Sequence, residues 1–407
     1  MSDVKQIKQC LCCKNIDLRT ILDLGLQPLA NSYCKSLEEK EQKFPLKLNL
    51  CLNCFHLQLS HKVDPNLMFK NYLYVSGTTN TLKEYFKYFA NFSKNLHGNV
   101  KNVLDIACND GSQLDAFKEL GIDTYGVDPA ENLFPLSSKN HNIICDFFNK
   151  SSALKLKKKF SLITAQNVFA HTSEVDQFLK NCKILMDKQT LLMIQTSQCE
   201  MVKNNQFDTI YHEHISFFNV NSMKTLLKRN NLFLVDVIKT PIHGTSYVFI
   251  ISKDKNKQNN NLKIFNEELN EGLYNPKTYY EYSLSCQNIT FNLKNKIDNF
   301  KKNDYIVVGY GAAAKGNTLL NFGNIDLDFV VDDNKLKQDL YTPGRKIKIV
   351  SIEKLSEISK GKKLLVVPLA WNFYDEIKQR IIKQNIHNKT NSLSMIRYFP
   401  ELKEEQI

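Results

Sequence analysis

The chain has 407 residues, of which 43% are hydrophobic, and at roughly 150 residues per domain it is long enough for two or three packed domains. No stretch approaches the roughly 18–20 consecutive apolar residues of a membrane-spanning helix. Residues 1–9 also lack the apolar core of a signal peptide. The composition therefore disfavours integral membrane and secreted proteins, and we expect a cytoplasmic protein with no membrane partner.

The charge balance is basic, with 54 Lys and Arg against 42 Asp and Glu and a net charge of +12. Such a balance invites a nucleic-acid partner. Only five of the basic residues are arginine, the side chain that supplies most planar recognition of bases and phosphates, and the lysines are scattered. A lysine- and asparagine-rich source genome explains the same excess. We therefore expect no nucleic-acid partner.

Four of the eleven cysteines form two Cys-x2-Cys pairs, Cys10 with Cys13 and Cys51 with Cys54. Two-residue spacing lets a tight turn direct both thiolates at one ion, and two such turns complete a tetrahedral zinc site. Without a secretory signal, these pairs indicate metal ligands rather than disulfides. Four thiolates leave no open coordination position, so we predict a structural zinc-binding domain over residues 1–75.

Strand and helix patterns alternate from about residue 80. Helices are predicted over residues 82–96 and 112–120, and strands over residues 102–107, 124–128, 142–145, 160–165 and 191–195. Such alternation is typical of a parallel, doubly wound sheet. We therefore predict a central Rossmann-like α/β domain over residues 76–251.

A second, smaller α/β domain is predicted at the end of the chain. Residues 252–261 are polar and low in complexity, and a polar helical stretch follows, so residues 252–304 are interpreted as a linker and helical segment. A new strand, turn and helix begin at Tyr305, and further strand patterns cover residues 329–332 and 363–368. Residues 305–407 are therefore predicted to form a C-terminal Rossmann-like domain.

The first strand of the central domain runs into a polar turn, Leu104-Asp-Ile-Ala-Cys-Asn-Asp-Gly111, which opens a helix. Such a turn lets backbone N–H groups and a helix N-terminus approach a ligand closely. Asp128 ends the next strand, where a carboxylate can accept both ribose hydroxyls. Asp146 follows the third strand and could contact adenine. The pattern predicts a nucleotide-like ligand, and a Rossmann-like sheet that holds some other nucleotide is the alternative.

Two further motifs carry groups suited to proton transfer. Gln166-Asn-Val-Phe-Ala-His171 follows the fourth strand, and Phe207-Asp-Thr-Ile-Tyr-His-Glu-His214 clusters Tyr, Glu and two His within four residues. Neutral His can accept a proton near pH 7 while Glu or Tyr orients it. A metal site formed by His212 and His214 is the competing interpretation. The polar turn that begins at His243 is weaker evidence by itself.

The C-terminal domain opens with Gly309-Tyr-Gly-Ala-Ala-Ala-Lys-Gly316, which follows a strand and begins a helix. It has the first two glycines of a dinucleotide loop but lacks the third at the standard spacing. Lys315 stands where it could meet a phosphate, and Asp332 follows Gly311 by 21 residues. The pattern indicates a nucleotide or nucleotide sugar, and an NAD-linked sugar dehydrogenase is an alternative.

Taken in order, these motifs resemble those of the nucleotide-sugar C-methyltransferases of deoxysugar biosynthesis, which methylate carbon 3 of a 4-keto sugar with S-adenosylmethionine. The resemblance covers essentially the whole chain. Besides the cysteine pairs, it rests on Asp23-Leu-Gly-Leu-Gln-Pro-Leu-Ala-Asn31, Tyr72-Leu-Tyr-Val-Ser-Gly77, Asn109-Asp-Gly111, Ile210-Tyr-His-Glu-His214, the loop from Gly309 to Asn317, and Leu340-Tyr-Thr-Pro-Gly344.

The resemblance implies a zinc-binding N-terminal domain, a central class I methyltransferase fold, a C-terminal Rossmann-like domain and a nucleotide-diphosphate sugar as substrate. The residues implied to hold S-adenosylmethionine are Asp105, Asn109, Gly111, Asp128, Asp146, Gln166 and Asn167. The catalytic residues implied are His214 as general base, with Glu213, Tyr211 and His171. The residues implied to bind substrate are Tyr74, His243, Gly311, Lys315 and Asn317.

The implied chemistry explains these residue types. A 4-keto group acidifies the neighbouring C–H bond, and the resulting carbanion is viable only as an enediolate, which needs a base near neutral pH and donors for the oxyanion. His214 can take the proton, Glu213 can orient it, and Tyr211 or His171 can donate to the oxygen. One departure is Ala107, which stands where a methyltransferase loop usually has its first glycine.

The resemblance leaves several alternatives open. Carbon and oxygen methylation need the same cofactor site, and a zinc-containing nucleic-acid methyltransferase would also carry the cysteine pairs and the basic charge. The nucleotide base, the sugar, the end product and the oligomeric state are open, and a monomer is compatible with the sequence.

Overall fold

The computed structural model describes residues 3–69, 75–78, 80–197 and 200–407. These residues form two compact units, each assembled from separate parts of the chain. The first, called the N-unit, contains residues 1–19, 49–199 and 213–274. The second, called the C-unit, contains residues 20–48, 200–212 and 275–407. The predicted four-part division of the sequence at residues 75, 251 and 304 stays a prediction.

The described secondary structure is predominantly mixed α/β, which confirms the predicted fold class. The strands are β1 (Val4–Gln6), β2 (Leu18–Pro28), β3 (Lys43–Cys51), β4 (Leu57–Leu59), β5 (His61–Val63), β6 (Asn102–Ile106), β7 (Asp123–Asp128), β8 (Asn142–Cys145), β9 (Leu162–Gln166), β10 (Leu191–Ser197), β11 (Ser216–Phe217), β12 (Phe233–Thr240), β13 (Ser246–Ser252), β14 (Tyr305–Tyr310), β15 (Phe329–Val331), β16 (Ile349–Val350), β17 (Lys363–Pro368), β18 (Ser392–Arg397) and β19 (Lys403–Gln406). The α-helices are α1 (Asn66–Phe69), α2 (Asn80–His97), α3 (Ser112–Glu119), α4 (Phe134–Ser137), α5 (Lys150–Lys155), α6 (Val175–Leu185), α7 (Val220–Arg229), α8 (Lys263–Asn270), α9 (Pro276–Lys302), α10 (Ala314–Gly323), α11 (Ile352–Ile358) and α12 (Tyr374–Lys383).

Within the described residues, the main sheet of the N-unit has seven strands in the order β12-β13-β10-β9-β6-β7-β8. The strands from β8 to β10 run parallel, and β13 is antiparallel to both of its neighbours. Ligands of such sheets bind outside the carboxyl ends of the strands, where the order reverses. Since β6 lies between β7 and β9, the site is expected at the ends of β6, β7, β8 and β9.

Apolar side chains on both faces of this sheet explain why its central strands read as hydrophobic runs. Leu104 and Ile106 pack in one cluster with Ile163 of β9, whereas Val103 and Leu162 pack in another with helix α2. Alternate residues of one strand therefore enter different cores, as expected for a parallel sheet covered on both faces.

The N-terminal region contains more strand than its sequence pattern predicts. A four-stranded sheet has the order β11-β4-β3-β2, and β1 pairs antiparallel with β5. Strand β2 buries only some of its residues in an irregular pattern, which explains why it shows little period-two alternation.

The C-unit contains a six-stranded sheet in the order β16-β15-β14-β17-β18-β19. The pairs from β16 to β18 are parallel, and β19 is antiparallel to β18. Val308, Val331 and Val366 pack in a core against helices α11 and α12. The predicted C-terminal Rossmann-like sheet is therefore confirmed.

No helix in the described part of the chain is both long enough and apolar enough to cross a membrane. The longest, α9, spans 27 residues, yet its buried residues recur along one side and lysines are distributed along its length. The predicted helical segment of residues 262–304 is interrupted between α8 and α9, where Pro276 begins the second helix.

Candidate functional site

The two cysteine pairs form equivalent turns. The residue after each pair, Lys14 or Phe55, has a positive φ, and its backbone N–H donates to the carbonyl oxygen of the first cysteine of that pair, at 3.0 and 2.9 Å. The four sulfur atoms of Cys10, Cys13, Cys51 and Cys54 lie within 4.8 Å of one another. Two turns of the same geometry thus direct four thiols to one point.

The chemistry of this cluster fits a zinc ion. Hydrogen bonds from neighbouring thiols, Cys12 foremost, lower the pKa of Cys10. The contact with Cys10 in turn raises the pKa of Cys51 to about 12 and also raises the pKa of Cys54. One thiolate therefore opposes the ionisation of its neighbours, and a divalent cation at the centre removes that opposition. Zinc is the structural metal of such a tetrathiolate site.

Asp128 closes the loop that follows β6. Its Oδ2 accepts a hydrogen bond from the backbone N–H of Asn109 at 2.8 Å, and its Oδ1 accepts one from Ala130 at 2.8 Å. Burial raises the pKa of Asp128. A carboxylate has about four lone-pair directions, so these two bonds leave acceptor capacity for ligand hydroxyls.

Asp105 lies beneath the same loop, with 4% of its surface exposed. Its Oδ1 accepts a hydrogen bond from the Thr164 hydroxyl at 2.7 Å and one from Gln113 Nε2 at 3.4 Å. Burial raises the pKa of Asp105 to about 7, partly through the neighbouring charge of Asp128. The sheet edge therefore carries two close carboxylates, which favour a ligand with donors or positive charge.

The loop between β6 and α3 has an unusual backbone. Ala107, Asn109 and Gly111 have φ values of 61°, 51° and 86°. Ala107 thus adopts at the first-glycine position the left-handed conformation that glycine adopts at lowest cost. This accounts for the departure noted in the sequence: the turn is retained, with backbone strain at Ala107.

A short segment that precedes α2 is hydrogen-bonded to this loop. The backbone N–H of Ser76 donates to Asn109 Oδ1 at 2.9 Å, and that of Gly77 donates to Asp110 Oδ2 at 2.8 Å. A Cβ atom at Gly77 would lie 2.2 Å from Ser112 Oγ. Gly77 is therefore required for the close approach of this segment to the loop.

The remaining predicted cofactor residues lie at the ends of the neighbouring strands. Asp146 follows β8, and its backbone N–H donates to the Asp128 carbonyl oxygen at 3.0 Å. Gln166 ends β9, and Asn167 follows it with φ 52°. The buried Asn167 Oδ1 has no hydrogen-bond partner among the described residues. The structure thus collects these residues and Asp105 at one edge, as the sequence predicts, and their roles toward a ligand stay a prediction.

His171 and His214 lie side by side, with ring centroids 5.1 Å apart. On the other side, Phe69 stacks on His171 at 5.7 Å with an interplanar angle of 6°. Burial lowers the pKa of His171 to about 4, so its ring is neutral at pH 7. His171 Nε2 is buried and lacks a hydrogen-bond partner in the described part of the chain, which suits a donor or acceptor that awaits a ligand.

The Tyr-His-Glu-His motif is divided between the units. Tyr211 and His212 belong to the C-unit, and the buried Glu213 and His214 belong to the N-unit. Burial lowers the pKa of His212 to about 4, and its Nε2 lies 3.3 Å from the Phe44 carbonyl oxygen. Among the described residues, no group of three or more potential metal ligands includes His212 or His214.

The loop that opens the C-unit sheet is packed closely on its own chain. Gly311 has φ 91°, and a Cβ atom there would lie 2.7 Å from the Ala370 Cβ. Asn317 is buried and donates through Nδ2 to the Ala30 carbonyl oxygen at 2.7 Å. Packing therefore explains Gly311 without a ligand, whereas the buried Asn317 Oδ1 has no hydrogen-bond partner among the described residues. The substrate roles of both residues stay a prediction.

Lys315 lies at the start of α10 with its Nζ 4.7 Å from the centre of the Trp371 ring. The indole N–H of Trp371 donates to Asp208 Oδ2 at 2.7 Å. Burial raises the pKa of Asp208 to about 6, while the neighbouring Lys315 opposes that rise. The sequence does not single out Asp208 or Trp371, because both lie far from Lys315 along the chain.

Asp332, the acid that suggested an NAD-linked enzyme, is engaged within its own unit. Its Oδ2 accepts a hydrogen bond from the Ala312 N–H at 2.7 Å and lies 3.8 Å from Lys337 Nζ. Its Oδ1 accepts one from Asn334 N–H at 2.8 Å. A nearby ammonium group makes this end of β15 better suited to an anionic ligand than to a ribose alone.

Two predicted substrate residues cannot be placed in this geometry. Tyr74 lies outside the described residues. The backbone of His243 belongs to the turn Ile242–Gly244, and its side chain lies outside the described part. Both stay predictions.

Three family descriptions match consecutive parts of the chain. "Putative zinc binding domain" matches residues 10–69, "Methyltransferase domain" matches residues 78–237, and "C-methyltransferase C-terminal domain" matches residues 241–396. The C-methyltransferase NovU of Streptomyces niveus is 27% identical over 389 residues, which cover 92% of each chain. The chain therefore carries these three family domains in order and is similar over nearly its whole length to a C-methyltransferase.

Other similar proteins match a smaller share of this chain. A ubiquinone biosynthesis O-methyltransferase of Pelagibacter ubique is 26% identical over 153 residues, 33% of this chain and 63% of that protein. A solved S-adenosylmethionine-dependent methyltransferase from Clostridium acetobutylicum is 11% identical, with a TM-score of 0.34 over 42% of this chain and 91% of that one. The family matches confirm the methyltransferase domain and the zinc-binding domain predicted from the sequence, in agreement with the order of the seven-stranded sheet and with the four-cysteine cluster that fits zinc.

Proposed function

We propose that this protein transfers a methyl group from S-adenosylmethionine to carbon 3 of a nucleotide-diphosphate 4-keto-deoxysugar. The observation that carries the proposal is the close pair of the partly buried His171 and the buried His214, in the same unit as the cofactor loop. Carbon methylation needs a base that removes a proton from carbon, and a pair of close imidazoles can divide the work of base and donor.

The cofactor is assigned to the edge formed by β6, β7, β8 and β9. Asp128 accepts the ribose hydroxyls, Asp146 contacts adenine, and Asn109, Gly111 and Asn167 shape the loops around the ligand. Asp105 and Gln166 lie on the remaining side, toward the amino-acid part. When bound, S-adenosylmethionine supplies an electrophilic methyl group on a positively charged sulfur. The close carboxylates of Asp105 and Asp128 complement that positive charge.

His214 is assigned as the base that removes the proton from carbon 3, and Glu213 as the residue that orients it. The two electrons of the broken C–H bond enter the enediolate, whose negative charge collects on the carbonyl oxygen at carbon 4. His171 is neutral because burial lowers its pKa, so it can donate a hydrogen bond to that oxygen without a net charge. Tyr211 is the alternative donor. The bound S-adenosylmethionine would supply the methyl group to carbon 3 and would leave as S-adenosylhomocysteine.

The diphosphate of the sugar nucleotide is assigned to the C-unit loop that contains Gly311, Lys315 and Asn317, and Tyr74 and His243 stay predicted substrate residues. Lys337 Nζ, which donates to the Ala312 carbonyl oxygen at 2.7 Å, adds a second cation beside this loop. Two ammonium groups near one loop suit a diphosphate. The proposed partner is therefore a small anionic molecule, and the location of the protein is proposed to be cytoplasmic.

The proposal is tested by hydrogen–deuterium exchange at carbon 3 of an NDP-4-keto-6-deoxysugar, measured by NMR with S-adenosylhomocysteine bound. The wild-type protein is expected to exchange this proton, and His214→Gln to abolish exchange while it retains S-adenosylhomocysteine. His171→Gln should slow exchange about a hundredfold through loss of one oxyanion donor. His212→Gln, altered in the same motif, is the matched control and should retain exchange. Retained exchange in His214→Gln would show that His214 is not the base.

A further inference from the structure

Gln113 is a buried polar residue in the first turn of α3, with 4% of its surface exposed. Its carboxamide nitrogen donates to Asp105 Oδ1 at 3.4 Å and to Thr164 Oγ1 at 3.2 Å. Its carboxamide oxygen accepts a hydrogen bond from Gln166 Nε2. Gln113 therefore joins two residues assigned to the cofactor, and neither the sequence pattern nor the proposed mechanism gives it a role.

The direction of each hydrogen bond in this chain follows from Asp105. Asp105 Oδ1 accepts the Thr164 hydroxyl proton at 2.7 Å, so this oxygen is an acceptor whether or not the other carboxyl oxygen carries a proton. Gln113 must therefore turn its NH2 group toward Asp105 and its oxygen toward Gln166. Reversal of the Gln113 carboxamide would place oxygen against oxygen at Asp105 and NH2 against NH2 at Gln166. The orientation of an amide is assigned from such a network, and here one orientation satisfies every group.

The same constraint passes on to Gln166. Because its NH2 group donates inward to Gln113, its Oε1 is the atom left to face a ligand at the end of β9. The Thr164 hydroxyl has one proton, which it donates to Asp105 Oδ1 at 2.7 Å. Thr164 therefore has no second proton with which to replace the hydrogen bond from Gln113. An acceptor, rather than a donor, is thus presented at this strand end.

Strand order indicates which part of the cofactor meets this acceptor. The order is β8-β7-β6-β9, with adenine assigned to Asp146 after β8 and ribose to Asp128 at the end of β7. The amino-acid end of the ligand must then lie on the opposite side, at β6 and β9. That end carries an α-ammonium group, which has three N–H donors and needs acceptors.

We propose that Gln113 is a positioning residue of the cofactor site, which orients the Gln166 carboxamide so that Gln166 Oε1 accepts a hydrogen bond from the α-ammonium group of S-adenosylmethionine. The inference rests on the cofactor assignment of the proposed function. It adds a specific consequence: Gln113 governs recognition of the amino-acid part of the ligand and leaves recognition of the nucleoside part unchanged.

The test compares two ligands by isothermal titration calorimetry on the full, zinc-loaded chain. S-adenosylhomocysteine carries the α-ammonium group, and 5′-methylthioadenosine lacks the amino-acid part. Gln113→Leu is expected to weaken S-adenosylhomocysteine about tenfold or more and to change 5′-methylthioadenosine by less than about twofold. Gln177→Leu removes a similar carboxamide from α6, where it bonds Asn181 at 2.8 Å, and should change neither affinity.

A double-mutant cycle separates positioning from general damage. Gln166→Leu should show the same ligand selectivity, and Gln113→Leu combined with Gln166→Leu should bind S-adenosylhomocysteine no more weakly than Gln166→Leu alone. Equal weakening of both ligands by Gln113→Leu, or additive effects in the double variant, would overturn the inference. If Gln113→Leu does not fold, Gln166→Leu alone still tests the inference. Equal weakening of S-adenosylhomocysteine and 5′-methylthioadenosine by Gln166→Leu would contradict the proposed contact with the α-ammonium group. A wild-type protein that binds neither ligand would overturn the cofactor assignment itself.

Discussion

The two strand–loop–helix segments of this protein, β6 to α3 and β14 to α10, have closely matched backbone contacts and opposite charge. In each, the residue one position beyond the strand donates to the end of the neighbouring strand at 2.7 Å, Ala107 to Val127 and Gly311 to Val331. In each, an aspartate at the end of the neighbouring strand or one position beyond it accepts a loop N–H, Asp128 at 2.8 Å and Asp332 at 2.7 Å.

The charged groups around these loops differ. The first loop has Asp105 and Asp110 close to Asp128. The charge of Asp110 contributes to the raised pKa of Asp128, and the charge of Asp128 contributes to the raised pKa of Asp105. The second has Lys337 beside Asp332 and Lys315 at the helix start. The same strand–loop–helix backbone can therefore bind a cationic ligand in one unit and an anionic ligand in the other. Charge around the loop, rather than its glycine pattern, distinguishes the two.

Replacement of each aspartate by asparagine should show the largest difference between the two loops, measured as affinity for S-adenosylhomocysteine. Asp128→Asn is expected to weaken S-adenosylhomocysteine about a hundredfold, because hydrogen bonds to charged groups contribute about 1.5–3 kcal/mol each. Asp332→Asn is the matched control, because its carboxylate makes the same two backbone contacts in the other unit. It should leave that affinity within about twofold. Calorimetric titration measures both, and equal losses would contradict the assignment of the cofactor to the N-unit.

The glycines of the two loops give a second contrast. Gly311→Ala should destabilise the C-unit by about 3 kcal/mol, because the added Cβ meets Ala370 and the positive φ strains alanine. Gly111→Ala meets the edge of His141 at 3.0 Å and should instead lower cofactor affinity with a smaller loss of stability. Trp371 is the one tryptophan of the sequence, so its fluorescence during urea unfolding reports on the C-unit. An unchanged unfolding midpoint for Gly311→Ala would contradict the packing argument.

Buried acids without a lysine partner also predict how stability depends on pH. Glu268 accepts a hydrogen bond from the Val220 N–H at 3.0 Å, and burial raises its pKa to about 7. A raised pKa favours the protonated folded state, so this contribution is present at low pH and is lost as the pH rises toward 7. The slope reaches at most about 1.4 kcal/mol per pH unit.

Thermal unfolding between about pH 5 and about pH 7 measures this slope, because the interval lies between the pKa of Glu in the unfolded chain, about 4.3, and the raised pKa of Glu268 in the folded protein. Glu268→Gln should flatten the fall in stability across that interval. Glu267→Gln is the control, because Glu267 is the neighbouring residue and forms a partly exposed ion pair with Lys239 at 3.0 Å, an interaction expected to contribute little to stability. An identical slope in Glu268→Gln and wild type would contradict the assignment.

The smallest expected effect concerns Ala107. Glycine accepts its φ of 61° without the steric cost that alanine bears, whereas the unfolded chain gains entropy. Ala107→Gly is therefore expected to raise the free energy of unfolding by about 0.5 kcal/mol. Ala116→Gly, inside α3, should lower it by about 1 kcal/mol. A loss of stability in Ala107→Gly would show that the loop is not strained.

The sequence predicted those features that depend on local pattern. Parallel strands place their carboxyl ends at one edge, so Asp128 and Gln166 could be brought together from strand order alone. The Cys-x2-Cys spacing likewise determines each thiol turn. Strand β2 was missed because its burial does not alternate regularly, and the hairpin of β12 and β13 was missed because β13 is wholly buried. Strand β3 does alternate, with Phe44, Leu46, Leu48 and Leu50 buried at every second position, so its pattern was present in the sequence.

Contacts between distant parts of the chain could not be predicted. Gln113 looks like an ordinary polar residue in the first turn of a helix, and only the structure shows that it is buried against Asp105 and Gln166. The surroundings of Lys315 depend on Trp371 and Asp208, which are distant in sequence. A single sequence indicates which residues carry reactive groups, but not which partners burial supplies.

Transfer of a carbon-13-labelled methyl group tests the central claim most directly. The protein is incubated with S-adenosylmethionine labelled in its methyl carbon and with an NDP-4-keto-6-deoxysugar, and two-dimensional NMR locates the label in the product. We predict a labelled methyl carbon bonded to ring carbon 3 of the sugar, with one equivalent of S-adenosylhomocysteine formed. A label on a sugar oxygen, or no transfer to the sugar by protein that binds S-adenosylhomocysteine, would contradict the account.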